Sequence, residues 1–167
     1  MEIRSIQESE IDLFIEVLLE GAQWIAANKN RMWDESDLHA HSLMDGLTIN
    51  NFFAAFIEGE IAGVMILQDE DSFFWPEDPE GEALYLHKLC IRRKYAKTGL
   101  SDSMIGYAKK LAEVSRKRFL KLDCAADRAA LRQFYEQHGF ELVGERLAME
   151  MYPAAFYQFE IKSYAKA

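Results

Sequence analysis

The most regular signal in the chain is helical. Between residues 11 and 25, Ile11, Phe14, Ile15, Leu18, Leu19, Ala22 and Ile25 recur three or four positions apart, the stripe of an amphipathic helix. Ser9, with Asp12 three residues on, reads as its N-cap, and a short strand at Glu2–Ile6 precedes it. Residues 34–46 read as a second, weaker helix. The period then shortens. Phe52–Ile57 and Ile61–Leu67 are β-rich runs around Glu58-Gly59-Glu60, which predicts an antiparallel hairpin turned at the glycine. A loop at 69–82 leads into a strand at Ala83–Ile91. A helix begins near Gly99 and carries Leu100, Met104, Ile105, Ala108, Leu111 and Ala112 on one face. Phe119–Cys124 alternates as a strand. Asp127 is placed to cap a short helix bearing Leu131, Phe134 and Tyr135, which Gly139 ends. Two further strands fall around 140–147 and 155–163.

The order is therefore β-α-α-β-β-β-α-β-α-β-β. A central strand–helix–strand unit demands a parallel pair with a right-handed crossover, and hairpins demand antiparallel neighbours. The fold class is mixed α/β: a mostly antiparallel twisted sheet of about six to seven strands with a central parallel pair and helices on both faces. No repeat or linker divides the chain, so residues 1–167 are read as one domain.

Composition narrows the function classes. Half of the 167 residues are apolar and 28% are charged, which suits one sizeable core and excludes a disordered chain. Lys and Arg number 19 against 28 Asp and Glu, a net charge of −9 that argues against a general nucleic-acid binder. Cys90 and Cys124 lie in apolar runs and read as reduced core residues. The opening MEIRSIQESE lacks the features of a signal peptide, and no run reaches the roughly 18 apolar residues of a spanning helix. A cytoplasmic protein without membrane partners is expected.

The candidate chemistry concentrates in IRRKYAKTGLSDSM, residues 91–104. A strand ends, Arg92, Arg93, Lys94 and Lys97 crowd together, and a helix starts at Gly99. A helix N-terminus offers unpaired N–H groups and partial positive charge to an anion, with Thr98, Ser101 and Ser103 adding hydroxyls. A solvated surface loop is the plainer reading of the same residues.

The succession of strand, basic glycine-containing loop, helix, strand and LRQFYEQHGF resembles the GNAT N-acetyltransferase superfamily. The resemblance covers nearly the whole chain and is most specific over residues 83–145. Leu89-Cys90-Ile91 matches the strand end before the family's cofactor loop, and Gly99 matches its central glycine. Tyr135, Gly139 and Phe140 match the family's last helix, with Leu131 and Phe134 in their usual apolar places. LDCAAD, residues 122–127, is similar to its preceding strand and loop. Ala96 stands where the loop usually has Arg or Gln, Lys97 where a first Gly is frequent, and Ser101 where the last Gly or Ala falls. Arg128 replaces an Asn that often contacts the cofactor.

The resemblance implies acetyl-CoA as co-substrate, contacted by Leu89, Cys90, Ile91, Lys97, Thr98, Gly99, Leu100, Ser101, Asp102, Arg128 and Tyr135. It also implies direct transfer to an amine, with a main-chain N–H near Cys90 or Ile91 polarising the thioester carbonyl. Tyr135 is the matching acid for the leaving thiolate. For the base, His87 is the first candidate, because an imidazole titrates near neutrality. Glu82, just ahead of the strand, is the second. The acceptor is a small-molecule or peptide amine, expected near Trp24, Trp33 and Trp75. Seven carboxylates at 69–82 are placed to attract a cation, or else form a solvated edge. No metal is expected, since His39 and His41 lack companion ligands. Phe156, Tyr157, Phe159 and Tyr164 mark a candidate homodimer edge, against a half-buried terminal strand. The alternative function is a catalytically silent CoA-binding or protein-interaction module of the same fold.

Overall fold

The structure, a computed structural model, describes residues 1–28, 33–148 and 152–162. Its strands are β1 (Glu2–Ser5), β2 (Phe52–Ile57), β3 (Glu60–Gln68), β4 (Ala83–Ile91), β5 (Phe119–Ala125), β6 (Glu141–Ala148) and β7 (Tyr152–Glu160). Its helices are α1 (Ile11–Ala27), α2 (Ala40–Leu43), α3 (Leu100–Val114) and α4 (Ala129–Gln137). The strands form one sheet in the order β1-β2-β3-β4-β5-β7-β6. β4 and β5 are parallel, while β1–β2, β2–β3, β5–β7 and β6–β7 are antiparallel. The crossover through α3 thus falls where the order of elements puts it. Among the described residues no helix is long and apolar enough to cross a membrane.

The chain forms two compact units, Met1–Leu67 with Lys88–Met104, and Gln68–His87 with Ile105–Ala167. In the first, Phe14, Val17 and Leu18 of α1 share an apolar core with Phe52, Ala54, Val64, Ile66 and Cys90. Gly21 leaves room for the sheet: a Cβ there would lie 2.4 Å from Cys90 Sγ, whose thiol approaches the Val17 carbonyl at 3.6 Å. On the next residue along β3 from Val64, a Cβ at Gly63 would lie 2.8 Å from Met104 Sδ of α3. Successive strand residues face opposite ways, so α1 and the first turn of α3 cover opposite faces of β3.

Several local expectations change. The entry to α1 is a 3-10 turn, Glu8–Glu10, and the cap is Gln7, whose N–H donates to Glu10 Oε1 at 2.8 Å. Ser9 lies inside that turn and cannot cap. The helix expected at 34–46 is reduced to a 3-10 turn at Glu35–Asp37 and the single turn of α2. The Asp34 carboxylate accepts the Ser36 N–H at 3.0 Å and the His39 ring the Ser42 N–H at 3.4 Å; such local bonds compete with a continuous helix. The hairpin turns on two residues, Glu58 (φ 51°) and Gly59 (φ 82°), both left-handed as a type I′ turn requires. Arg128, not Asp127, occupies the cap position of α4, without a side-chain cap bond.

The end of α4 explains its sequence. Gly139 takes φ 86°, its N–H returns to the Glu136 carbonyl, and the Phe140 N–H returns to Tyr135, both at 3.1 Å. This is a Schellman stop, and its apolar contact is Tyr135 against Phe140, ring centroids 5.8 Å apart. The run Tyr135-x-x-x-Gly139-Phe140 therefore encodes a helix terminus whatever else it does. The aromatic end near residue 157 is not a sheet edge: β7 lies between β5 and β6, with Phe156 and Tyr157 buried. Tyr164 lies outside the described residues.

Candidate active site

The second unit gathers three ionisable side chains that the sequence keeps far apart. Parallel pairing of β4 with β5 runs from Ala83↔Phe119 to Tyr85↔Lys121. Two residues beyond it stand His87 on β4 and Asp123 on β5. Asp71 joins them from the acidic loop, its Oδ2 lying 3.0 Å from His87 Nε2. The approach is oblique, so the contact falls short of a straight hydrogen bond. One donor atom from each of Asp71, His87 and Asp123 lies within 4.8 Å of the others, close enough to share a single cation.

Asp71 is only 8% exposed. Burial, the largest influence, pushes its carboxyl up, but the His87 contact and the N–H groups of Phe74 and Phe73 outweigh it and hold the carboxyl below its ordinary value. It is thus an anion throughout the neutral range, suited to orient the imidazole beside it. With Nε2 turned to Asp71, the remaining nitrogen, Nδ1, is the one available as a base. Glu82 is differently placed. It sits at the other end of β4, where its carboxylate meets Arg118 at 3.4 Å and its carbonyl accepts the Arg118 N–H at 2.8 Å.

The acidic loop is largely tied to its own unit. Besides Asp71, Asp78 pairs with Lys121, Asp69 with Lys117 and Glu82 with Arg118. Trp75, expected near the acceptor, is a core residue packed against Phe156 with ring centroids 5.2 Å apart.

Tyr135 is 7% exposed on α4. Burial raises its phenol above the ordinary value, and Cys124 and Asp123 add to the effect, so the electrostatics tie it to the β5 end that carries Asp123. Cys124 is itself pushed up to about 11, mainly by burial. Arg128, at the cap of α4, has a buried Nη1 without a hydrogen-bond partner among the described residues. An orphaned guanidinium donor fits an oxygen-rich ligand.

In the first unit, three of the four loop cations are engaged. Arg92 meets Glu16 and Glu20 of α1 at 3.3 and 3.4 Å, and its Nε donates to the Ile61 carbonyl. The Arg93 guanidinium lies 3.8 Å from the Trp24 ring, and Lys94 pairs with Glu60 at 2.7 Å. Trp24 thereby serves as a platform for Arg93, and Trp33 for Lys88 at 5.4 Å. Lys97 remains exposed, with φ 61°, and Gly99 follows at φ 85°. The first helical bond of α3 runs from the Ser103 N–H to Gly99 at 3.1 Å, which leaves the amides of Leu100 and Ser101 ahead of the ladder. The Leu100 side chain is core, as is that of Cys90, whose thiol burial pushes up to about 12. Leu89 and Ile91 are half-buried, Ser101 likewise, and Thr98 and Asp102 are exposed. The regular alternation of β4 breaks at Lys88, which holds φ 54° inside the strand.

A family model described as an acetyltransferase (GNAT) domain matches residues 24–160. The chain belongs to the GNAT acetyltransferase family. It is 27% identical over 134 residues to the uncharacterized N-acetyltransferase YesJ of Bacillus subtilis (strain 168), covering 77% of this chain and 74% of the relative. An acetyltransferase of the GNAT family from Listeria monocytogenes superposes with a TM-score of 0.77 at 24% identity, over 95% of this chain and 94% of that one. The PaiA N-acetyltransferase of Thermoplasma acidophilum, in complex with coenzyme A, gives 0.74 at 15% identity, over 95% and 98%.

Proposed function

We propose that the protein transfers the acetyl group of acetyl-CoA to a primary amine of a small molecule or peptide, with both substrates bound together. Membership of the family supports acetyl transfer, and the relative named an N-acetyltransferase supports an amine acceptor. The relative solved with coenzyme A supports the co-substrate. The amides of Leu100 and Ser101, with Lys97, are suited to hold its oxygens.

Acetyl-CoA supplies an acyl carbon activated by a thiolate leaving group. His87 Nδ1 removes a proton from the amine as its nitrogen bonds to that carbon, and Asp71 holds the imidazole in the right tautomer and steadies its charge. A main-chain N–H late in β4, near Cys90 or Ile91, polarises the carbonyl oxygen. As the C–S bond breaks, Tyr135 gives its phenolic proton to sulfur. The observation that carries the reading is the 3.0 Å contact between buried Asp71 and His87. Glu82, paired with Arg118, is the second candidate.

The test is release of CoA thiol from acetyl-CoA with benzylamine, 1,4-diaminobutane, lysine and a peptide bearing a free α-amine. Thiol release matched by acetylated amine is expected. The silent-module reading, favoured by the engagement of Arg92, Arg93 and Lys94, instead requires bound acetyl-CoA that none of these amines consumes. The two buried, unpaired cysteines fit a cytoplasmic location.

A further inference from the structure

Among the described residues two charged side chains are buried, Asp71 at 8% exposure and Lys121 at 6%. Both serve the same loop. Lys121 Nζ meets Asp78 Oδ2 at 2.8 Å, and the Tyr85 hydroxyl donates to the same oxygen at 2.6 Å. Tyr85 and Lys121 are register partners in the parallel pair, so β4 and β5 each contribute one arm of the grip. The Lys121 ammonium also lies over the Trp75 and Phe119 rings, at 4.7 and 5.1 Å.

The loop between the two acids is stiffened by turns. The Phe74 N–H donates to Asp71 Oδ1 at 3.0 Å, the Trp75 N–H to the Asp71 carbonyl at 2.9 Å, and the Asp78 N–H to the Trp75 carbonyl at 3.2 Å. Arg146 holds the Phe74 carbonyl from β6. Asp78 docks at Tyr85 and Asp71 docks at His87, two residues further along β4. The loop is a short bar gripping one strand at two points.

An ion pair with a buried ammonium is a poor way to gain stability, because an apolar pair of similar volume often does as well. The placement of this one indicates a geometric task. We propose that the Asp78–Lys121 pair, with Tyr85, is a positioning lock that sets the Asp71 carboxylate against His87 and so fixes the tautomer of the base. This rests on the dyad reading above. The three residues touch neither substrate; they act through Asp71.

The experiment compares wild type, D71N, the double variant D78N/K121M, and both combined. Removing the two charges together leaves no unpaired buried ion, so the double variant should fold, which its melt checks; Y85F is the milder companion. Imidazole nitrogen NMR, with His87 assigned through H87Q, reads the lock without any acceptor. One tautomer with the proton on Nε2 is expected in wild type, and a mixture in D71N and D78N/K121M alike. With the fastest amine of the panel, kcat should fall about tenfold in the double variant with KM for acetyl-CoA unchanged, and Y85F should lose about two- to threefold. In the D71N background the double substitution should cost nothing more, since both changes act through one group. A wild-type His87 spectrum in folded D78N/K121M would overturn the lock, as would an additional tenfold loss on top of D71N. If D71N itself keeps the wild-type spectrum and rate, the dyad reading fails and the lock with it; an impaired D71N beside a normal D78N/K121M removes the lock alone.

Discussion

Replacing His87 by glutamine should lower kcat/KM for amine acetylation by about two to four orders of magnitude, the range of a general base lost from a positioned site. The amide keeps the size of the side chain and much of its polarity but cannot take a proton. The loss in H87Q should hold across the neutral range. Asp71 does not blur the profile near neutrality: its carboxyl is held below the ordinary range, so it stays ionised until strongly acid conditions. The same sign governs stability. The contribution of ionised Asp71 is present above its unfolded value and is lost only as pH falls through its lower folded one. A pH profile of kcat/KM for both proteins, with matched melts to confirm folding, checks the expectation. Unchanged rates in H87Q would pass the role of base to water or another group.

The second large effect concerns Tyr135. Tyr135→Phe should reduce kcat by about one to three orders of magnitude while affinity for acetyl-CoA stays near that of wild type. The ring keeps its packing against Phe140 at the end of α4, so the Schellman stop survives and only the proton donor is removed. Burial, reinforced by Cys124 and Asp123, raises this phenol, which keeps it protonated through the neutral and mildly alkaline range. No decline in rate from Tyr135 should therefore appear below about pH 10, the ordinary phenol value. Single-turnover rates beside acetyl-CoA titrations separate the two quantities. Full turnover in the phenylalanine variant would reduce Tyr135 to its structural task of ending the helix.

Much of this fold was legible because the relevant signals are local. The α1 stripe, the Glu58-Gly59 hairpin and the Gly139 stop each depend on residues within a few positions of one another. The failures were local as well. Asp34 and His39 bond to their own backbone and break up a helix that hydrophobic spacing alone suggested at 34–46. Gln7 displaces Ser9 as cap because a 3-10 turn intervenes.

The candidate site divides in the same way. His87 and Tyr135 could be singled out from their elements, His87 by its imidazole chemistry and Tyr135 by the family resemblance. Asp71 could not, since it was one of seven carboxylates in a loop, and nothing near it in sequence marks it as the buried one that meets His87. Asp123 stands within LDCAAD with nothing beside it in sequence to mark a task; its nearness to His87 follows from where β4 and β5 stop pairing. The partners of the basic cluster at 92–97 could not be read from the sequence. Its charges suggested an anion, and Arg92 and Lys94 also answer Glu16, Glu20 and Glu60, partners 34 to 76 residues away.

The most direct test of an acetyl-CoA-dependent enzyme needs no knowledge of the acceptor. It is a thermal melt of the whole chain with acetyl-CoA, with free CoA and with neither. A ligand at about 100 times its Kd adds about 2.7 kcal/mol to the folded state, which for a domain of this size raises Tm by about 5–10 °C. A shift of that order is the expected result. An unchanged Tm at millimolar acetyl-CoA would contradict the reading, because a protein that does not hold the acyl donor cannot transfer its acetyl group.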